Sequence, residues 1–504
     1  MPRGLPDRQW EVLVPAGAAL LLALTAPAMA DDLREALVLA YRTNPTLEAA
    51  RANQRGVDEN VPIARASGLP SLGGTASYTE FLKKGDNNSA FSVSPDRALN
   101  AGLSLSIPIY SGGSVRNSVR AAETRVKAGQ ADLRGTESGL FAQVVAAYVD
   151  VIRDQAIVGL SRNNVQVLDV NLSATRDRFE IGDLTRTDVA QSQARLSAAR
   201  SDLRTAEANL ASSRETYIRL VGKPPLDLQP PPPLPNLPAT PDEAVDVSLE
   251  NNPDLLAARE RSKAAAYDTE VAGSGRLPRI SVFSGVDYIN YLDSISVPPE
   301  FGSINQRQTT AQAGVRATIP LFQGGLPAAQ QRQAQAREGA TLEQEIGTER
   351  EVIATVRTSY QQWKAANEII VSSQSAVDAA SLGLEGVRAE NSVGNRTILD
   401  ILNAEQELLN AQVQLVRARR NAYVAGFNLL AAMGRAEVKD LGLDGGALYD
   451  PNVNYKRVRG IIWDWQRDPA PVARSTRTVD TPAQDGSVSV PESLKPSAIP
   501  NTGG

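Results

Sequence analysis

The stretch Ile107-Pro108-Ile109-Tyr110-Ser111-Gly112-Gly113 occurs twice in this chain. Its second copy, Ile319-Pro320-Leu321-Phe322-Gln323-Gly324-Gly325, follows 212 positions later. Other landmarks keep nearly the same displacement, since Asn44-Pro45 returns as Asn252-Pro253 after 208 positions. A displacement held over so many landmarks indicates a tandem duplication, so one architecture is built twice.

A segment of alternating apolar and polar residues leads into each copy. In the first repeat the apolar positions are Leu99, Ala101, Leu103, Leu105, Ile107 and Ile109; in the second they are Ala311, Ala313, Val315, Ala317, Ile319 and Leu321. Period two over about eleven residues is typical of a tilted transmembrane β-strand, with one face toward lipid and one toward a lumen. A less regular partner precedes each of them, at 69–82 and 277–292, which gives four predicted strands. The alternative for any one segment is an amphipathic strand of a soluble sheet.

Long helices are predicted after each Gly-Gly pair. No proline occurs between Gly113 and Phe179, and apolar residues there follow an alternating spacing of four and three. After Gly182 one large residue recurs every seven positions, and the second repeat behaves alike after Gly394. Each repeat therefore predicts an antiparallel helical hairpin with its turn at the glycine. An isolated coiled coil would explain these heptads but not the strands.

Helix-like stretches at 32–66 and 242–273 open the two repeats. The ascending limb of each hairpin is shorter than the descending limb by about the length of one such stretch. We therefore expect the opening helix of the other repeat to stack on it, end to end.

Four strands cannot close a barrel, because closed barrels need about eight or more. Open sheet edges are not tolerated in hydrocarbon. The strands therefore predict that several copies of the chain share one barrel.

Composition excludes several classes of function. The 504 residues include no Cys and no His, and the net charge is −5. Disulfides, thiolate nucleophiles and the commonest general base are therefore absent, and no basic footprint for nucleic acid is present. We predict neither an enzyme nor a cofactor or metal site.

The chain resembles the TolC family of outer-membrane channels. The resemblance covers nearly all of 31–434, and it lies chiefly in the two strand-helix junctions and in the turns at 182–189 and 394–401. It implies a mixed fold of membrane β-barrel and α-helical barrel: a homotrimer whose twelve strands, four from each protomer, continue into a coiled-coil tunnel across the periplasm. It also implies location in the outer membrane, in contact with its lipid, and partnership with a periplasmic adaptor and an inner-membrane ABC transporter or other pump.

The branch of the family is a finer prediction. The lack of an acylatable Cys and the segment 449–460 look more like type I protein secretion than like lipoprotein drug efflux. The alternatives are the duct of a multidrug pump and a periplasmic coiled-coil protein without a pore.

The resemblance also assigns residues at the turns. Thr187 and Asp188, with Arg396, match the pairing that holds the periplasmic gate closed, although Asn391 stands where the family often has a gating Tyr. Asp400 matches a cation-selective carboxylate ring, and Asn403 replaces the family's second acidic ring, so we expect weakened cation selectivity. The alternative for the gate residues is solvated charge at helix ends.

The predicted organisation of the chain has six parts. They are a signal peptide at 1–30, a first repeat at 31–222, a Pro-rich equatorial linker at 223–241, a second repeat at 242–434, an equatorial segment at 435–468 and a disordered tail at 469–504. Trp463 and Trp465 are expected as buried anchors of the equatorial segment. The signal peptide rests on Arg3 and Arg8 before an apolar run that ends in the cleavage pattern Ala28-Met29-Ala30.

Overall fold

A computed structural model describes residues 32–83, 95–295, 302–443 and 448–488. The predicted signal peptide lies outside these residues, as do parts of both loops between paired strands. The helices are α1 (Leu33–Thr43), α2 (Pro45–Asp58), α3 (Asn60–Ala66), α4 (Ser114–Glu180), α5 (Arg186–Val221), α6 (Pro241–Asn251), α7 (Pro253–Gly273), α8 (Leu326–Ser392), α9 (Ile398–Ala432) and α10 (Pro451–Val458). The strands are β1 (Ser71–Glu80), β2 (Arg97–Tyr110), β3 (Arg279–Asn290) and β4 (Arg307–Thr318). In the described part of the chain, no helix is both long and apolar enough to span a membrane.

The four strands form one antiparallel sheet in the order β1-β2-β3-β4. Its register confirms the predicted alternation of faces. One row across the sheet is Gly74, Leu103, Val286 and Ala311; the next row, on the opposite face, is Thr75, Gly102, Asp287 and Thr310. One face is therefore mainly apolar and the other mainly polar or small, as expected of a sheet between lipid and a lumen.

Strand β4 ends at Thr318, earlier than its alternating pattern predicts. Within the described sheet β4 pairs with β3 alone, and that pairing ends where Arg279 faces Thr318. By contrast, β2 lies between two strands and continues to Tyr110, with a register shift after Pro108. Pro320, which has no backbone N–H to donate, follows the end of the β4 ladder.

The Gly-Gly pairs turn the chain from strand to helix. Gly112 and Gly113 have φ of +63° and +83°, and Gly324 and Gly325 have +61° and +81°. Residues with a Cβ avoid these values. At Gly112 a Cβ would also lie 2.7 Å from that of Leu277, so this junction allows no side chain.

The predicted opening helices are interrupted, and their stacking partner differs from the prediction. Breaks fall at Asn44 and Asn252, each of which caps the next helix. The Nδ2 of Asn44 donates to the carbonyl of Leu220, the penultimate residue of α5 in the same repeat, at 2.9 Å. Asn252 bonds Ala432 in the second repeat at the same distance. The expectation that each opening helix stacks on the other repeat was therefore wrong.

Neighbours along α4 show why the stack stays within one repeat. From the turn upward, Thr175 faces Ser192 and Asp154 faces Ser213, both on α5. Higher on α4, Val126 accepts a hydrogen bond from Gln54 of α2. Helices α5 and α2 thus pack along successive parts of α4, and all three helices belong to the first repeat.

Three tyrosines hold the Pro-rich linker against the long helices. Tyr148 of α4 donates to the carbonyl of Gln229 at 2.7 Å, and its repeat mate Tyr360 of α8 donates to Ala239 at 2.6 Å. Tyr423 of α9 donates to Pro232 at 3.0 Å. Burial raises the pKa of Tyr423 to about 12, so this hydroxyl stays a donor at physiological pH.

The segment after the second repeat packs beside the opening helices. Asn454 of α10 donates to the buried Asp58 of α2 at 2.8 Å, and the backbone N–H of Tyr449 donates to the Tyr41 hydroxyl. Trp463 and Trp465, however, are 68% and 77% exposed, so their prediction as buried anchors was wrong within this chain. The polar contacts around Asp58 hold the segment instead.

The predicted disordered tail is placed against the protein over its described part, 469–488. The backbone N–H of Gln484 donates to Glu215, and Arg162 and Arg214 donate to backbone carbonyls of the tail. The Pro, Ser and Thr content suggested disorder because it supplies little apolar surface. The contacts observed are made mainly by the backbone, which composition does not reveal.

Candidate functional site

The two hairpin turns are built alike. Helix α4 ends before Gly182 and α8 before Gly394, with φ of +83° and +84°. In each turn the residue after the glycine donates its N–H back to the helix: Asp183 to Arg178 and Asn395 to Glu390, both at 2.9 Å. These hydrogen bonds satisfy carbonyls at the end of each helix. They require a residue in the left-handed conformation, and glycine adopts that conformation most easily.

Reciprocal caps then start the ascending helices. The Thr185 hydroxyl accepts from the N–H of Asp188 at 3.3 Å, while the Asp188 carboxylate accepts from the N–H and hydroxyl of Thr185 at 2.9 and 2.7 Å. Thr397 and Asp400 repeat this arrangement in α9. The spacing Thr-x-x-Asp was available in the sequence as the signal of a capping box.

Both capping carboxylates are stabilised in their charged form. Hydrogen bonds from the side chain and then the backbone of Thr185 lower the pKa of Asp188. The backbone and then the side chain of Thr397 do the same for Asp400, with a smaller contribution from Arg396. The two carboxylates are therefore negative throughout the physiological pH range.

Within the described protomer, the structure does not join the predicted gate pair. Arg396 is exposed and pairs with Glu390 at 2.7 Å, and Asn391 donates to the Arg396 carbonyl at 2.7 Å. Asp188 is engaged in its cap, and Thr187 is exposed. The gate role of Thr187, Asp188 and Arg396 stays a prediction.

Asn403 connects the two hairpins. Its side-chain oxygen accepts from the Nη2 of Arg195, on α5, at 2.7 Å. Asp400, one turn earlier, is half-buried at the start of α9. Asn403 therefore lies at the contact between α5 and α9, next to a positive charge that sequence reasoning did not consider.

Glu405 is a further polar contact that the sequence did not single out. Its carboxylate is 5% exposed and accepts from Asn171 of α4 at 2.9 and 3.1 Å, and from Arg388 of α8 at 3.0 Å. Beside it, apolar side chains of three helices pack together; they include Leu168, Leu172, Leu196 and Leu402. Glu405 thus joins the two hairpins just above the turns. Nothing in the sequence distinguishes it from exposed Glu407 nearby.

A second polar connection lies higher on the hairpins. Asp150 of α4 accepts from Arg420 of α9 at 2.7 Å and from Arg153 at 2.5 Å. Arg153 also binds Asp154, which accepts from Ser213 of α5. One network therefore ties α4 to both α5 and α9. In the residues that the structure covers, no group of three acidic side chains is arranged to hold a metal.

Comparison with protein families gives one match, to the model described as outer membrane efflux protein, at residues 36–223 and 244–435. The chain is 34% identical over 447 residues to the outer membrane efflux protein BepC of Brucella suis biovar 1, which covers 88% of this chain and 94% of BepC. It is 26% identical to the outer membrane protein TolC of Vibrio cholerae, over 84% of this chain and 95% of that protein. The alkaline protease secretion protein AprF of Pseudomonas aeruginosa is 27% identical, over 84% and 89%.

Solved structures share the fold. The CmeC outer membrane channel of Campylobacter jejuni superposes with a TM-score of 0.71 at 17% identity, covering 89% of this chain and 98% of CmeC. The outer membrane protein VceC of Vibrio cholerae gives 0.68 at 24% identity, over 80% and 96%. The repeated sheet and long hairpins are therefore common to these channels.

Proposed function

The chain belongs to the outer membrane efflux protein family, and we propose that it is the outer-membrane exit duct of a type I protein secretion system. Its location is the outer membrane, as for the relatives it resembles. The observation that carries the duct is the four-stranded sheet, with its apolar and polar faces, joined to two helical hairpins whose first helices are 67 residues long. The same sheet disfavours a coiled-coil protein without a pore.

Three copies of the sheet would give twelve strands, which is enough to close a barrel with a hollow interior. In the described chain, β1 and β4 each pair with one strand, so each leaves an edge for a neighbour. Helix α8 also carries exposed apolar side chains that a neighbouring protomer would cover, among them Val371 at 68% and Leu382 at 70% exposure. A homotrimer buries both features at once.

Type I secretion is favoured by two kinds of observation. AprF and the proteases secretion protein PrtF of Dickeya chrysanthemi are among the relatives. The segment after the second repeat, which suggested this branch, is built into the fold through Asn454 and Asp58. On this proposal the partners are a periplasmic adaptor and an inner-membrane ABC transporter.

Small-molecule efflux is the second candidate. It is favoured by relatives named for pyoverdine export, OpmQ, and for cobalt-zinc-cadmium resistance, CzcC, at 23% and 24% identity. The two candidates share the duct and differ in the pump.

The proteome of the culture medium decides between them. A strain that lacks this protein is compared with the same strain complemented, under conditions in which the protein is expressed. Loss of one or a few large polypeptides from the medium supports type I secretion and identifies the cargo. An unchanged medium contradicts it and favours efflux, which is then tested by the susceptibility of the two strains to toxic compounds.

A further inference from the structure

The described end of the tail lies along the α4–α5 hairpin. Starting at Gly222, where a side chain would meet the Thr476 hydroxyl, the tail contacts Glu215, Arg214 and then Glu207. These residues occur in descending order on α5, so the tail passes down the helix toward its start. It then reaches Arg162 on α4. The tail therefore crosses both helices of the hairpin.

Most of these contacts are to the tail's backbone. Arg214 Nη1 donates to the Asp485 carbonyl at 2.7 Å, and Arg162 Nη1 donates to the Val488 carbonyl at 3.2 Å. The Glu215 carboxylate accepts the N–H of Gln484 at 2.9 Å. Two carbonyls of the tail thus accept from arginines, and one N–H donates to a carboxylate. Hydrogen bonds of this kind bind the backbone of a peptide and do not depend on most of its side chains.

One position in the tail does depend on its side chain. A Cβ at Gly486 would overlap the carbonyl oxygen and Cβ of Glu207 on α5. Since a helix backbone cannot yield, only glycine fits there. Beyond it, Val488 packs against the main core of the hairpin.

Arg214 lies beneath the tail. Its side chain is 13% exposed, and burial lowers its pKa, an effect that Asp485 partly offsets. An arginine in this setting is stabilised by the carbonyl and carboxylate that cover it.

We propose that the α4–α5 hairpin carries a peptide-binding groove, formed by Arg162, Glu207, Arg214 and Glu215, and that its resident ligand is the chain's own segment 484–488, which bends at Gly486. While the segment is seated, it links α4 to α5 and closes the groove to any other polypeptide. This site lies away from the two hairpin turns.

The test uses the full-length protein and a fluorescent peptide with the sequence of residues 478–488. Gly486→Val prevents the tail from seating and empties the groove, so this variant should bind the peptide at least ten times more tightly than the wild-type protein does. Ala483→Val, at an exposed tail position, should behave as the wild type. Adding Arg214→Ala to Gly486→Val should raise the Kd for the peptide about ten-fold, because it removes one charge-assisted hydrogen bond.

Equal binding to wild type and Gly486→Val, or binding to neither, overturns the proposal. Hydrogen exchange on the unlabelled proteins gives a second measurement that requires no peptide. The N–H of Gln484 should be protected in the wild type, exposed by Arg214→Ala and unaffected by Arg219→Ala, which changes an exposed arginine of the same helix. Exchange of Gln484 at the unprotected rate in the wild type would also overturn it. Neither result depends on conduction or on the pump.

Discussion

The side-chain amide of Asn44 joins two helices end to end, since its Nδ2 donates to Leu220 of α5 and its Oδ1 accepts from the N–H of Thr46 in α2, both at 2.9 Å. The last carbonyls of one helix and the first N–H groups of the next have no partner within their own helices. One asparagine therefore satisfies a carbonyl at the end of α5 and an N–H group at the start of α2. Asn252 repeats this relationship, so the device belongs to the architecture that was duplicated.

Asn44→Ala should destabilise the protein by about 1–2 kcal/mol, because it removes a helix cap and a buried hydrogen bond together. Asn44→Ser keeps the cap but is too short to reach Leu220, so it should cost less. Thermal unfolding in detergent measures both. Asn163→Ala, at an exposed position of α4, is the control and should have little effect. Equal stability of Asn44→Ala and wild type would contradict the role given to this residue.

The gate hypothesis is best tested through Arg396, because Asp188 also caps α5. Arg396→Ala leaves both capping boxes intact and should raise single-channel conductance if Arg396 holds the periplasmic tip closed. Glu390→Ala removes the partner of Arg396 within the chain and should not raise it. An exposed ion pair contributes little free energy, so the change is expected to be a shift in open probability or conductance rather than loss of the channel. Unchanged conductance in Arg396→Ala would exclude this gate.

Cation selectivity should respond to Asn403 in a manner that depends on Arg195. Asn403→Asp adds a ring of carboxylates and should increase selectivity for cations. The Nη2 of Arg195 lies 2.7 Å from the Oδ1 of Asn403, however, so the guanidinium would neutralise part of the new negative charge. The double variant Asn403→Asp with Arg195→Ala should therefore be more selective than Asn403→Asp alone. Reversal potentials in a salt gradient measure this, with Arg195→Ala as control; no change in any variant would place Asn403 away from the ion path.

The capping boxes predict how the turns respond to pH. The pKa values of Asp188 and Asp400 lie below their ordinary value of 3.8. A carboxyl group with a lowered pKa in the folded state adds stability that is fully present above its unfolded pKa and is lost as pH falls through the folded pKa. Protection factors of the N–H groups of Thr185 and Thr397, which donate to these carboxylates, should therefore stay constant from neutral pH to about pH 5 and decrease only below about pH 4.

Thr185→Val supplies a control for this pH dependence within one molecule. It removes the hydroxyl that Asp188 needs, so the first turn should lose protection at neutral pH while the turn at Thr397 keeps it. Equal protection of both turns in this variant would show that the hydroxyl cap contributes nothing measurable.

Features with a local period or a required backbone conformation could be predicted from the sequence. The rows of the sheet follow from period two, and the glycines at 182 and 394 follow from the left-handed residue that a helix end needs. The capping boxes belong to the same class, since Thr185 and Asp188 are separated by the spacing that such a box requires.

Features that depend on a choice between equivalent partners could not be predicted. Helix lengths showed that an opening helix must stack on an ascending one, but both repeats offered a suitable length, and the hydrogen bond from Asn44 to Leu220 makes the choice. The tail is bound through its backbone at Asp485 and Val488, and composition carries no information on such contacts. Glu405 is buried because the two hairpins pack together in one relative orientation. The heptad pattern of each helix does not specify that orientation.

The central claim is that each chain supplies four strands of a shared barrel in the outer membrane. The most direct test is the detergent-corrected mass of the protein extracted from outer membranes, measured by light scattering or native mass spectrometry. We expect a particle of three chains. A particle of one or two chains would contradict this claim, because four strands cannot close a barrel and the interior of an eight-stranded barrel is filled by side chains or holds only a small ligand.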